Sequence, residues 1–102
     1  MKFNNYEIKF ETSVYIADGS TYIGALICED GEVVDYYGDV TTCIPFGADD
    51  GEIILDTNNC GELIKEMIKQ KLIEKTGDTV PSGYCTYPIA KTTEKFKNEL
   101  VA

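Results

Sequence analysis

The stretch Ile53–Ile89, IILDTNNCGELIKEMIKQKLIEKTGDTVPSGYCTYPI, decides the fold, because it sets a short apolar run, a helix entry, an amphipathic helix and a Tyr-rich extended segment in a row. Ile53, Ile54 and Leu55 have no polar face, as in a brief buried strand. Asp56-Thr57-Asn58-Asn59 follows, made of residues whose side chains satisfy the free N–H groups at a helix start. Asn59 with Glu62 three positions on forms an Asn version of the capping box. Cys60, Leu63, Ile64, Met67 and Ile68 then recur at helical spacing, with Lys65, Glu66, Lys69 and Gln70 opposite, so a helix over Cys60–Lys71 lays one face on a sheet. Leu72 lies at the margin of the stripe and Ile73 off it, which ends or bends the helix between Gln70 and Lys75, with Thr76-Gly77 as the last stop. Val80-Pro81-Ser82-Gly83 reads as a turn, and Tyr84–Ile89 as a final extended segment limited by Pro88.

Working outward, the amino-terminal part is β-rich. Tyr6, Ile8 and Phe10 alternate with Glu7, Lys9 and Glu11, the two-residue repeat of an edge or outer strand. Val14-Tyr15-Ile16 starts a second strand, and Asp18-Gly19 turns it onto Thr21–Cys28, whose apolar residues occupy both faces as in a central strand. Asp30-Gly31 tolerates the positive φ of a tight hairpin and returns Val33–Tyr37 antiparallel. Val40–Phe46 reads as a short strand interrupted by Pro45, and Gly47–Gly51 as a loop. The expected class is therefore α+β: a twisted, mainly antiparallel sheet of about five or six strands with one amphipathic helix packed on one face. Residues 1–90 form one domain, and 91–102 a poorly ordered or weakly helical tail.

The chain has 102 residues, enough at that size to bury roughly 60–70% of the unfolded surface in one core without metal or disulfide. No apolar run approaches the ~20 residues that span a membrane, and MKFNNYEIKFE lacks the continuous apolar stretch of a secretion signal, so a cytoplasmic location is expected. Cys28, Cys43, Cys60 and Cys85 show no C-x-x-C spacing, and the sequence contains no His. Zinc sites and Cys–His or Ser–His pairs thereby lose their usual residues, and four buried thiols in a reducing compartment are the plainer reading. No metal site and no cofactor is expected.

The net charge is −9, and its distribution says more than its size. Residues 1–60 carry 2 Lys against 12 acids, and residues 61–102 carry 7 Lys against 6 acids. No basic residue lies between Lys9 and Lys65, and the chain has no Arg, which removes the bidentate reader of phosphate and guanine. Direct nucleic-acid binding is not expected.

Three groups of residues carry the functional candidates. The acids Glu29, Asp30, Glu32, Asp35, Asp39, Asp49, Asp50 and Glu52 would present carboxylates to a protein partner, or imitate duplex phosphates and occupy a DNA-binding protein. They also suit hairpin turns and a wet sheet face, where they maintain solubility. Gly47–Glu52 clusters oxygens but lacks the register of a calcium loop, and nothing sets its acids or Asp56 across a cleft as a glycosidase pair. The third group joins Asp56, Asn58 and Asn59 at the helix entry to Ser82, Gly83, Tyr84, Tyr87 and Pro88. Either it is a structural lock, with Asp56 and Asn59 capping the helix and Gly83 making a turn, or Tyr84 and Tyr87 line a partner groove.

The Asp56–Asn59 entry, the Thr76-Gly77 pair and the segment Ser82-Gly83-Tyr84-Cys85-Thr86-Tyr87-Pro88 resemble small proteins of integrative conjugative elements in low-GC Gram-positive bacteria, the domain-of-unknown-function 4313 family. The resemblance implies a mobile-element context and no assigned chemistry. The expected function is an acidic accessory module that binds an unidentified protein partner through Asp35, Asp39, Asp49 and Asp50 or through Tyr84 and Tyr87. A DNA-mimic inhibitor is one alternative. The other is a small-molecule site or enzyme near Tyr84 and Cys85 supported by Asp56, for which the absence of His and Arg leaves the thiol without an activating partner.

Overall fold

The computed structural model describes residues 1–101. The elements run β1 (Lys2–Phe3), β2 (Tyr6–Val14), β3 (Thr21–Glu29), β4 (Glu32–Asp39), β5 (Ile53–Ile54), α1 (Thr57–Lys69), β6 (Ile73–Ser82) and β7 (Cys85–Thr92), followed by a 3₁₀ turn at Glu94–Glu99. The class is α+β, mostly antiparallel sheet with one helix. The strands divide into two sheets instead of one, in the orders β1-β2-β3-β4 and β5-β7-β6. Phe3 and Tyr37, from opposite ends of the first sheet, pack edge to face with ring centroids 5.9 Å apart, so that sheet curls on itself. Two irregularities on β4, which leave Val34 and Tyr37 without a partner on β3, supply extra local twist.

β2 is longer than expected and is not an edge. It pairs with β3 from Glu7↔Cys28 to Val14↔Thr21, and β1 lies on its other side. The separate strand expected at Val14–Ile16 does not exist, because Val14 still belongs to β2 and Tyr15–Ser20 closes the hairpin through Tyr15 N–H to Ser20 O (2.8 Å). Ile8 and Phe10 are fully buried, whereas Tyr6, expected on the same dry face, is half exposed at the sheet end. Asp30 (φ +53°) and Gly31 (φ +83°) form the tight hairpin that their types suggested.

The expected strand Val40–Phe46 is replaced by a joint and a loop. Val40 N–H donates to Ile23 O (2.9 Å) and so still belongs to the first sheet. Thr42 N–H donates to Ile54 O (3.0 Å) and Asp56 N–H to Val40 O (2.8 Å), so the same few residues reach the second sheet. Thr41, bridged to Leu55 between them, is 2% exposed. Its hydroxyl accepts the Ile23 N–H at 3.0 Å and pairs with the Tyr15 hydroxyl at 2.9 Å. Beyond it Pro45 sits in a tight turn closed by Gly47 N–H to Ile44 O (2.8 Å), with Phe46 in the left-handed region at φ +61°.

The helix starts earlier than the capping box suggested. Asp56 occupies the N-cap position, and its carbonyl accepts from Asn59 N–H (3.1 Å) and Cys60 N–H (3.0 Å), but its side chain makes no cap bond. Asn59 is inside the first turn, and Cys60 interrupts it with φ −121°, ψ 35°. Leu63, Ile64 and Met67 are buried as the stripe predicted, each worth about 1.5–3 kcal/mol of apolar transfer. At the far end Lys71 adopts φ +62°, with Lys71 N–H on Ile68 O (3.0 Å) and Leu72 N–H on Met67 O (3.0 Å). These two bonds form the paired C-terminal cap that glycine usually provides. The chain then reverses at once, and Ile73, 1% exposed, opens β6. The segment expected as helix end and turn is thus a ten-residue strand, irregular between Lys75 and Thr79.

The core lies between the concave face of the first sheet, the helix and the second sheet, drawing on Ile8, Phe10, Ile23, Leu55, Leu63, Met67 and Ile73. The segment 91–102, expected to be poorly ordered or weakly helical, reaches this core up to its last described residues. Phe96 is 3% exposed and packs on Phe10 at 5.4 Å, and Val101 N–H donates to Phe10 O (2.9 Å).

Two substitutions test this architecture. Thr41→Val orphans the buried Ile23 N–H and is expected to lower stability by about 1–3 kcal/mol in urea unfolding, with Thr41→Ser losing less. Gly38→Ala would put a Cβ 2.9 Å from Cys60 Sγ, so a loss of about 1–3 kcal/mol is expected, shrinking in the Cys60→Ala background.

Candidate functional site

The helix entry and the last strand meet, as the third group of candidates requires, but through part of the set. Asn58 Nδ2 donates to Cys85 Sγ (3.1 Å) and lies 3.4 Å from the Tyr87 hydroxyl. Partial desolvation raises the Tyr87 pKa above its ordinary value, and its hydrogen bond with Cys85 adds to the shift. Asn59 points elsewhere: its amide donates to Asp39 O (3.0 Å) and tethers the first helical turn to the end of β4. The capping role expected for Asn59 is therefore replaced by a helix-to-strand tether.

Ser82 pairs with Cys85 at the tip of the β6–β7 hairpin, and Gly83 takes φ +61° there. Tyr84, beside Gly83, is fully exposed and takes no part in the hydrogen bonds that join Asn58 to Cys85 and Tyr87. Pro88 sits in β7, the middle strand of its sheet, where a missing N–H ordinarily breaks a ladder. Here its carbonyl accepts Leu55 N–H (3.0 Å), and Leu55 O is taken instead by Thr57 N–H (3.0 Å), so the helix entry supplies the donor that proline lacks.

The acidic candidates fall into two places. Glu29, Asp30, Glu32, Asp35 and Asp39 are exposed along the β3–β4 hairpin and β4, and Asp49 and Asp50 are exposed in the loop before β5. Asp35 bonds the N–H of Tyr36 (2.8 Å). Asp39 accepts the Tyr22 hydroxyl (2.8 Å) and the Tyr36 hydroxyl, which form a phenol–carboxylate cluster on the convex face of the sheet. Desolvation, and then Asp39, raises the Tyr36 pKa, so this phenol stays protonated and donates at any physiological pH. Sequence reading missed Tyr22 and Tyr36: Tyr36 and Asp39 are three residues apart, out of two-residue phase, and share a face only because the β3–β4 register shifts at Tyr37.

Asp49 and Asp50 line a cleft of about 230 Å³ together with Asp18, Ser20, Phe46 and Glu52. Asp18, which sequence reading treated as a turn residue, holds this region together. Its carboxylate accepts the Ser20 hydroxyl (2.6 Å), Ser20 N–H (2.9 Å), Phe46 N–H (3.4 Å) and the Cys43 thiol (3.8 Å). Those bonds, the Ser20 hydroxyl first, hold it below the usual carboxylate range. Glu52 closes the loop by accepting Asp49 N–H (2.9 Å). Among the described residues, no three Cys, Asp or Glu side chains are grouped to hold a metal ion.

The cysteines are all free thiols. Cys60 is buried under β4, and that burial, with Asp56 and Asp39 nearby, pushes its thiol up to about 11.

These observations define an acidic α+β protein, built from a curled four-stranded sheet and a three-stranded sheet around one helix, with exposed carboxylates gathered on β4 and two loops. No helix is long and apolar enough to cross a membrane among the described residues. A family model described as Domain of unknown function (DUF4313) matches residues 9–100, and the chain belongs to that family. No curated protein and no solved structure matches it.

The thiols give a direct check on the site. In the folded protein Cys43 and Cys85, both half-buried, are expected to react with a thiol reagent before Cys28 and Cys60. Because the folded Cys60 thiol binds its proton more tightly than an unfolded one, its contribution makes stability fall as pH rises from the ordinary thiol range towards about 11. Fast labelling of Cys60 in the folded protein at pH 8 would contradict this arrangement.

Proposed function

We propose that the chain is a cytoplasmic accessory protein of an integrative conjugative element in low-GC Gram-positive bacteria, and that it binds a cationic partner protein through its acidic sheet side. The observation that carries this reading is the exposed run Glu32–Tyr36, in which Val33, Val34 and Tyr36 are each about half exposed between carboxylates. Apolar and aromatic side chains supply contact area and the carboxylates supply orientation and encounter rate, the division of labour found at protein interfaces. The charge distribution supports the same side, since the lysines after Lys9 fall on α1, the turn after it, β6, β7 and the 3₁₀ turn. The mobile-element context rests on the resemblance of the Asp56–Asn59 and Ser82–Pro88 segments.

The test is affinity capture from host-cell extract at low and at physiological ionic strength, using the wild type, a variant with Asp35, Asp39, Asp49 and Asp50 replaced by Asn, and a Lys65/Lys69→Ser control. The expected result is a specific partner that weakens as salt screens the contact, is lost with the Asn variant and is retained by the control. Equal capture by the wild type and the Asn variant would sink the acidic-surface mechanism. A DNA-binding protein as the captured species would turn the reading into DNA mimicry.

A further inference from the structure

The two sheets treat their edges differently. β1 is only two residues long, β5 is joined to residues 40–42, and β6 carries Pro81 and the irregularity between Lys75 and Thr79. β4 is the remaining outer strand, and it has no proline. Its carboxyl end is covered by the chain itself, through Asn59 on Asp39 O (3.0 Å) and Asp56 N–H on Val40 O (2.8 Å). From Glu32 to Tyr36 every residue is exposed; the stretch bulges at Val34, and its Tyr36 N–H is held by the Asp35 carboxylate (2.8 Å), a contact within the stretch that an added strand would have to displace.

An uncovered strand edge is a template for another strand, and its side chains decide which strand it takes. A second copy of this chain is disfavoured, because antiparallel pairing of β4 with itself sets carboxylates among Glu32, Asp35 and Asp39 near one another. Lys2 and Lys9 are the basic residues of the whole stretch before Lys65, and neither lies on β3 or β4. A strand bearing lysine or arginine meets the opposite condition. Its cations reach the carboxylates of Glu32 and Asp35, and its apolar positions meet Val33 and Tyr36.

We propose that the open edge of β4, Glu32–Tyr36, takes an extended lysine- or arginine-bearing segment of the partner protein as a fifth strand of the curled sheet. This rests on the partner-binding reading above and adds to it the mode of binding, backbone pairing in place of surface charge alone.

The probe is an end-blocked peptide alternating Lys and Val, compared with a fully N-methylated copy that keeps every charge and side chain but has no backbone N–H. Binding is followed by amide spectra and hydrogen exchange of the whole protein at low ionic strength. The expected result is slowed exchange at Val33–Tyr36, binding at least about tenfold tighter than the N-methylated copy, since several backbone hydrogen bonds are lost together. An Asp35→Lys variant is expected to weaken the unmodified peptide by a similar factor. Equal binding of the two peptides would overturn the strand-pairing inference and leave the acidic-surface reading standing. Exchange slowed only outside β4, or no binding of either peptide, would also overturn it, while the capture experiment with the four-Asn variant decides the surface reading separately.

Discussion

The hydroxyl of Thr41 is the constraint on which the rest of the structure depends. At Val40 the chain is still bonded to β3, and by Thr42 it is bonded to β5, so within three residues the backbone changes sheets. A strand that leaves its neighbour abandons an N–H, here that of Ile23, in the part of the core where both Ile23 and Val40 are inaccessible to water. Thr41 Oγ1 replaces the missing backbone acceptor at 3.0 Å, and the Tyr15 hydroxyl pairs with it in turn. Without such a group the joint would hold a buried donor with no partner, at a cost comparable to a sizeable fraction of a small protein's net stability. Placing a hydroxyl there lets one chain build two sheets over one core.

The helix depends on that joint. Because residues 40–42 hold β5 beside the end of β4, Asp56 begins the helix within reach of both sheets. Gly38 leaves room for Cys60 Sγ, Asn59 bonds Asp39 O, and Asn58 reaches Cys85 and Tyr87 on the other side. Three consecutive residues of the first turn thus face two different sheets. The distorted backbone at Cys60 is where these demands meet, and the absence of a side-chain cap on Asp56 fits a helix start held by tertiary contacts. The Asp-Thr-Asn-Asn segment acts as a clamp between sheets.

This explains which parts of the fold were legible in the sequence. The helix stripe, the Asp30-Gly31 hairpin and the central character of β3 rest on local periodicity and turn chemistry, and the structure contains all three. β6 was not legible, because its start depends on Lys71 adopting a left-handed conformation that sequence reading reserves for Gly or Asn, and its interior holds Gly77 and Pro81. Val40–Phe46 misled for the opposite reason: its β-branched and apolar residues suit a strand, but they serve a sheet-to-sheet joint. Of the candidate side chains, the exposed acids are found where turns and a wet sheet face put them, whereas the Tyr22–Tyr36–Asp39 cluster depends on a strand register interrupted twice. The clustering of Asn58 with Cys85 and Tyr87 depends on a crossing of helix and strand that no local pattern encodes.

The placement of charge follows from the same division. The second sheet protects its outer strand by backbone means, a proline and a stretch between Lys75 and Thr79 where the pairing with β7 is interrupted. The first sheet has no proline on β4, so the burden falls on side chains and on bulges at Val34 and Tyr37. Carboxylates at Glu32, Asp35 and Asp39 set like charge against like on any strand of the same sequence and stand among the half-exposed Val33, Val34 and Tyr36. Bulges and like charge discourage self-pairing without removing the edge, whereas proline removes a donor outright. Charge of one sign therefore works against pairing with this chain's own copies without working against a strand of opposite sign, a distinction that a proline or a broken ladder does not make.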